Sequence, residues 1–341
     1  MKTDRALYKS VADAGKGCLA ADLNRVFDEW FDKKLRTQVY SQYAELETVN
    51  KQLAGKKPRG SAFTELETMV GLAEAKSVIN QALDFYKAQK LFRDKGVATG
   101  RPAMHMVFTG NPGTAKTTAA RLFARIMKEN GLLSKGNLYE VGRADLVGKY
   151  VGWTAQIVKN KFQAAKGSVL FIDEAYSLVD DRDGLYGDEA INTIVQEMEN
   201  NREDMVVIFA GYPDKMEGFL RKNPGLRSRI AFHVPFADYD AAELYEITEL
   251  LAKGKELTLD PGVREKLVPI YEAALTRDDF GNGRFARNLV EKAQLKQASR
   301  LVHADDLDAV TRDDISTLVA GDFDAPAETA EAKKRRIGFG A

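Results

Sequence analysis

Eight consecutive residues, Gly110-Asn111-Pro112-Gly113-Thr114-Ala115-Lys116-Thr117, have the composition of an anion site built from backbone. A glycine-bearing turn between a buried strand and a helix points successive N–H groups inward, and the positive end of the helix dipole adds to them. Lys116 would then reach the β and γ phosphates of a nucleotide and Thr117 would place its hydroxyl on Mg²⁺, with Thr118 in the first turn behind them. Ala115 stands where a glycine usually precedes the lysine. If that position needs positive φ, the extra Cβ costs about 1 to 2 kcal/mol.

A second group lies downstream, in Ser168-Val169-Leu170-Phe171-Ile172-Asp173-Glu174. A continuous apolar run suits a central strand buried on both faces, and its last residues emerge at the carboxyl edge, where open α/β sheets bind ligands. Asp173 is expected to hold the Mg²⁺ shell, through water, and Glu174 to orient and deprotonate an attacking water. Together the two groups imply a protein that binds and hydrolyses ATP with Mg²⁺.

These residues need a sheet and helices to position them. Short apolar runs at 104–109, 138–142, 169–173, 205–210 and 230–234 alternate with helical stretches, which implies a parallel sheet sandwiched by helices over 61–238. Beyond Tyr239 the strand signals stop, and helical patterns over 241–254, 262–276 and 283–302, then a last helix capped by Thr311, predict a small all-helical domain over 239–320. Ahead of the sheet, Leu19, Leu23, Val26, Phe27, Trp30, Leu35, Val39, Tyr43 and Leu46 recur at helical spacing, so residues 1–60 read as a helical extension ending in a Gly/Lys/Pro linker. Residues 321–341, rich in Ala and Glu before a basic run at 333–336, read as a disordered tail.

The chain has 341 residues, 44% of them hydrophobic, enough for two or three folding units. Its 50 basic and 50 acidic side chains balance, giving no global drive toward nucleic acid or an acidic membrane. One cysteine, Cys18, excludes an internal disulfide framework, and no Cys/His cluster has metal-ligand spacing. No run approaches the roughly 20 apolar residues that cross a bilayer, and no apolar signal core opens the chain, so a cytoplasmic enzyme is expected.

In this order the motifs resemble those of the AAA+ ATPases, and within them the CbbX/SpoVK-like branch. The resemblance covers about residues 61–320. Gly110 to Thr117 matches the family's Walker A element and Val169 to Glu174 its Walker B; Phe171-Ile172-Asp173-Glu174-Ala175-Tyr176 and Met198-Glu199-Asn200-Asn201-Arg202 are similar to that branch in particular. The resemblance implies an α/β P-loop core followed by a helical lid. Met69-Val70-Gly71-Leu72 resembles the segment that passes near the adenine, with Val70 and Gly71 as the expected contacts. Asn223-Pro224-Gly225-Leu226-Arg227-Ser228-Arg229 resembles the segment that presents an arginine finger to the neighbouring subunit, with Arg229 the first choice and Arg227 the second. Arg284, after Gly283, resembles sensor 2, and Tyr212 stands near the sensor-1 position.

Tyr150-Val151-Gly152 falls where the family carries its pore loop; the aromatic would grip a polypeptide by apolar contact, or else pack under its own loop. Residues 180–187 fall where a second central loop would lie. The resemblance thus implies a homo-oligomer, a hexamer, that threads or engages a client protein. The N-terminal extension is longer than the CbbX type would lead one to expect. A nucleic-acid motor is the rival reading, with Lys149, Lys159 and Lys161 as its nearest basic cluster, and an ATP-gated scaffold with little turnover is a third.

Overall fold

The five apolar runs form five parallel strands, β1 (His105–Gly110), β2 (Leu138–Val141), β3 (Val169–Ile172), β4 (Val206–Gly211) and β5 (Ile230–Phe236), in the order β2-β3-β4-β1-β5. The computed structural model describes residues 61–96, 104–148, 150, 152–179, 185–277, 280–304, 306 and 309–325. The helical extension expected over 1–60, most of the loop at 180–187 and the basic run at 333–336 lie outside them.

Alternation along the central strands explains why they read as unbroken apolar runs. Val169 and Phe171 enter one core with Met106, Phe108 and Ile208, while Leu170 and Ile172 enter the other with Val107, Val207 and Phe209. All four residues of β3 are fully buried, as a strand covered on both faces requires. The first core is closed by α1 (Ala62–Glu67), α2 (Ala73–Asp94) and α3 (Lys116–Glu129); the second by α5 (Trp153–Ala165), α6 (Leu185–Asn200) and α7 (Pro213–Lys222). A short α4 (Arg143–Leu146) follows β2, and α8 (Pro224–Arg227) precedes β5. Each fully buried Leu, Ile or Phe contributes about 1.5 to 3 kcal/mol, so the sheet is the rigid platform on which the loops at its carboxyl edge are held.

A helical lid follows, built from α9 (Ala241–Gly254), α10 (Gly262–Leu275), α11 (Gly283–Val302) and α12 (Arg312–Ser316). A reciprocal capping box starts α9: the Glu243 N–H donates to Asp240 Oδ1 at 2.8 Å and the Asp240 N–H to Glu243 Oε2 at 2.9 Å. The expected all-helical lid also holds a two-residue parallel pair, β6 (Thr258–Leu259) with β7 (Thr317–Leu318), that ties its end back to its beginning. The lid runs past residue 320, because Arg300 grips the buried Asp322 with two 3.0 Å bonds and Phe323 is buried beside it. Among the described residues, no helix is long and apolar enough to cross a membrane.

Candidate active site

At the end of β1 the chain turns through residues 110–115 into α3. Gly113 and Ala115 both take positive φ, 78° and 63°. Ala115 therefore adopts the left-handed conformation that a glycine would adopt freely, with its methyl packed against the core. No side chain caps α3, so its first N–H groups are left by the helix for whatever occupies the cavity at its N-terminus. The backbone must come close here: a Cβ on Gly113 would overlap the Gly281 carbonyl oxygen of the lid, and one on Gly110 would overlap the Phe236 carbonyl.

That cavity, about 440 Å³, is lined by Gly110, Pro112, Gly113, Ala115, Lys116, Thr117 and Thr118 of the loop and α3, by Asp173 and Glu174 after β3, by Val70 ahead of α2, and by Gly283 and Arg284 of α11. Residues from four separated stretches of sequence thus meet at the carboxyl edge of the sheet. Lys116 Nζ donates to the Gly110 and Asn111 carbonyls at 2.8 Å each. Burial lowers its pKa, Asp173 opposes that shift and the Arg284 charge reinforces it. A half-buried cation beside a second cation is a site that gains most from an anion. The Asp173 N–H donates to Val141 O at 2.9 Å, which fixes the acid against β2, and Asp173 Oδ1 accepts the Glu174 N–H at 3.0 Å. Glu174 takes φ 47° in this turn and its side chain is exposed.

These groups fit a nucleotide with its metal. A close-approach glycine, uncapped helical N–H groups and a lysine form a phosphate cradle. The hydroxyl of Thr117 and the carboxylate of Asp173 are hard oxygen donors of the kind Mg²⁺ takes.

Three residues expected at the nucleotide do not line the cavity. Asn111 donates through Nδ2 to both oxygens of Asp238, at 3.1 and 2.8 Å. Thr114 is fully buried and closes the loop by donating to Asn111 O at 2.8 Å. Gly71, at φ 60°, faces the Glu243 side chain. Arg229 is also absent from its own chain's cavity. Its Nη1 donates to Gly225 O at 3.0 Å, and its Nε lies 3.4 Å from Glu199 Oε2, an ion pair too poorly aligned for a hydrogen bond. Arg227 is exposed. Tyr212 does line the cavity, where Lys215 Nζ sits 5.0 Å from its ring and 4.7 Å from that of Tyr176, whose pKa is pushed up to about 12 by burial and then by the Glu174 charge.

Away from the cavity, Tyr150 is 61% exposed and meets the 57% exposed Trp153 edge-on, with ring centroids 4.9 Å apart. Gly152, at φ 79°, turns the chain into α5. Lys149 and Val151 lie outside the described residues, and Lys161 is engaged by Asp145 at 3.3 Å.

Sequence reasoning missed the apolar wall. Ile247, Leu250 and Leu251 of α9, with Tyr239, line the cavity beside Met69 of the expected adenine segment, and Arg287 joins Arg284 one turn along α11. The signal for the wall was the i, i+3, i+4 spacing on α9, and for Arg287 its i+3 offset from Arg284.

Comparison with known proteins agrees with this geometry. Residues 106–236 match the family described as ATPase family associated with various cellular activities (AAA), and residues 240–333 match the AAA lid domain. The chain is 40% identical to protein CbbX of Cereibacter sphaeroides over 277 residues, 78% of this chain and 90% of that protein. It is 40% identical over 256 residues to the chloroplastic ribulose bisphosphate carboxylase/oxygenase activase of Cyanidioschyzon merolae, 75% of this chain and 87% of the activase. Stage V sporulation protein K of Bacillus subtilis is 37% identical over 269 residues, 78% and 83% of the two chains. In fold alone it is similar to the crystal structure of the FIGL-1 AAA domain in complex with ADP, with a TM-score of 0.54 and 22% identity over 75% of this chain and 80% of that one. The chain therefore belongs to the AAA ATPase family, in the branch of CbbX and stage V sporulation protein K, and is an enzyme that hydrolyses ATP.

Proposed function

We propose that this ATPase assembles as a homohexameric ring, completes each catalytic site with an arginine from the next protomer, and uses ATP to engage and remodel a client protein. The observation that carries the reading is that the cavity gathers Lys116, Thr117, Asp173, Glu174 and Arg284, whereas Arg229 lies outside its own cavity on a segment similar to an arginine finger. The relative named as an activase of ribulose bisphosphate carboxylase/oxygenase supports a protein client, without naming the client of this chain.

In this reading the N–H groups at the start of α3 and the Lys116 ammonium hold the β and γ phosphates. Val70, Ile247, Leu250 and Leu251 pack against the base, excluding water from one side of the site. Thr117 and Asp173 would hold Mg²⁺, which would supply neutralisation of phosphoryl charge. Glu174, at the mouth of the cavity, takes the proton from the attacking water. Arg284 from the lid and Arg229 from the neighbour place planar guanidinium charge on the phosphoryl oxygens, and such a finger is worth about 10³ to 10⁵ in rate. Tyr150, with Trp153 beside it, grips the client through apolar contact.

The test is a pull-down with Glu174→Gln, which should bind ATP without turning it over and so hold its client. The reading expects material that is protein, retained in ATP and lost from the double variant with Tyr150→Ala. Retained nucleic acid, or retention that ignores Tyr150, would contradict it.

A further inference from the structure

The described residues with positive φ other than glycine are Leu72, Ala115, Glu174, Glu256 and Asn282; Leu72 and Ala115 sit in the ordinary left-handed well, whereas Asn282, at φ 49°, ψ −127°, lies far outside it. It is the second residue of a turn closed by the Arg284 N–H donating to Gly281 O at 2.9 Å. That is the corner of a type II′ turn, where glycine is the residue without strain. Glycines stand on both sides of it, so the chain has the right residue within one step and places asparagine at the strained corner instead.

The side chain accounts for the choice. Asn282 is fully buried, and its amide makes three hydrogen bonds to two other pieces of chain. Nδ2 donates to Asp238 Oδ1 at 2.7 Å and, more loosely, to Pro112 O at 3.4 Å, while Oδ1 accepts the Tyr239 N–H at 3.0 Å. Asp238 in turn accepts from Asn111 of the phosphate loop. The backbone adds a fourth strut, the Gly283 N–H donating to Gly113 O at 3.1 Å. Phosphate loop, β5–α9 connection and first turn of α11 thus converge on one amide, two residues before Arg284.

We propose that Asn282 is a positioning residue which, through Asp238 and the Pro112 carbonyl, locks the turn carrying Arg284 to the phosphate loop and so couples the lid to the nucleotide. The inference rests on the assignment of Arg284 to the phosphates made above. A strut of this kind transmits displacement of the loop to α11, because breaking the bonds of a buried amide leaves its polar atoms unpaired, so the loop and the turn move together rather than apart.

Asn282→Gly separates positioning from mere stability, since it deletes the three side-chain struts and also removes the strain. It should melt within a few degrees of the wild type, with kcat for ATP lowered about tenfold and a smaller change in KM. Adding Arg284→Ala to Asn282→Gly should lower kcat little further, because the arginine is already out of place. Asp238→Ala, at an exposed residue, should reproduce the loss in weaker form and carries the test if Asn282→Gly proves unstable. Wild-type kcat in Asn282→Gly and in Asp238→Ala, or losses from Asn282→Gly and Arg284→Ala that multiply, would overturn the proposal while leaving the role of Arg284 intact. Wild-type kcat in Arg284→Ala alone would overturn both.

Discussion

Gly113 and Ala115 are two left-handed positions in one loop, and only the second tolerates a side chain. Replacing Gly113 by alanine tests whether the loop and lid touch as closely as described. At φ 78° a Cβ costs about 1 to 2 kcal/mol, partly offset by roughly 0.4 to 1 kcal/mol from the stiffer unfolded chain. The same Cβ would overlap Gly281 O and crowd the Arg284 nitrogen at 3.0 Å, so the turn must move and the bond from Gly283 to Gly113 is lost, for about 1 kcal/mol more. The sum is about 2 kcal/mol, or roughly 4 to 8 °C in Tm. Turnover should suffer more than stability, at least about tenfold in kcat/KM, because the displaced turn carries Arg284; a tenfold loss corresponds to about 1.4 kcal/mol in the transition state. Thermal melting and steady-state ATP hydrolysis on the same preparation read both. Gly113→Ala with wild-type melting and wild-type turnover would refute the close approach and the role of the turn with it.

Ala115→Gly should behave oppositely: relief of the left-handed strain and the added freedom of the unfolded chain nearly cancel, so Tm should move by no more than about 2 °C and ATP affinity by less than about twofold, checked by melting and nucleotide titration. His105 makes a pH prediction. It is buried between β1, β4 and the end of α6, where Nδ1 accepts the Val207 N–H at 3.0 Å and the Met198 carbonyl lies 3.3 Å from Nε2, with Glu199 and Arg229 the charges nearby. Burial pushes its pKa down to about 4, below the ordinary 6.5, so the unfolded chain binds the proton first. Its stabilisation is full above about pH 6.5 and is lost as pH falls toward 4, at up to about 1.4 kcal/mol per unit. Urea melts of wild type and His105→Gln at pH 7 and 5.5 should converge by about 1 kcal/mol at the lower pH; parallel pH dependence would refute this.

The phosphate loop and the acids after β3 were legible because each is a local device: the first is built within eight residues, and the second sits at the end of a strand whose four apolar positions face two cores. Even the strain at Ala115 could be anticipated, since the loop geometry dictates its φ. The apolar wall from α9 was not legible as a wall, because Ile247, Leu250 and Leu251 have the same spacing whether they face a core or a cavity. β6 and β7, two residues each, are too short for any periodicity to announce them. The anchoring of Asp322 and Phe323 was hidden by a segment whose average composition is that of a solvated tail. Asn282 was hidden for a different reason: its importance lies in a backbone conformation that asparagine ordinarily avoids, and no sequence pattern reports that.

ATP turnover per protomer, measured against protein concentration with particle size followed in parallel, probes the shared catalytic site. With a shared site, turnover should rise cooperatively as rings form, disappear in Arg229→Ala rings of normal size, and return in part when Arg229→Ala is mixed with Glu174→Gln, which has an intact arginine to lend. Turnover independent of concentration, or full activity in Arg229→Ala, would contradict it.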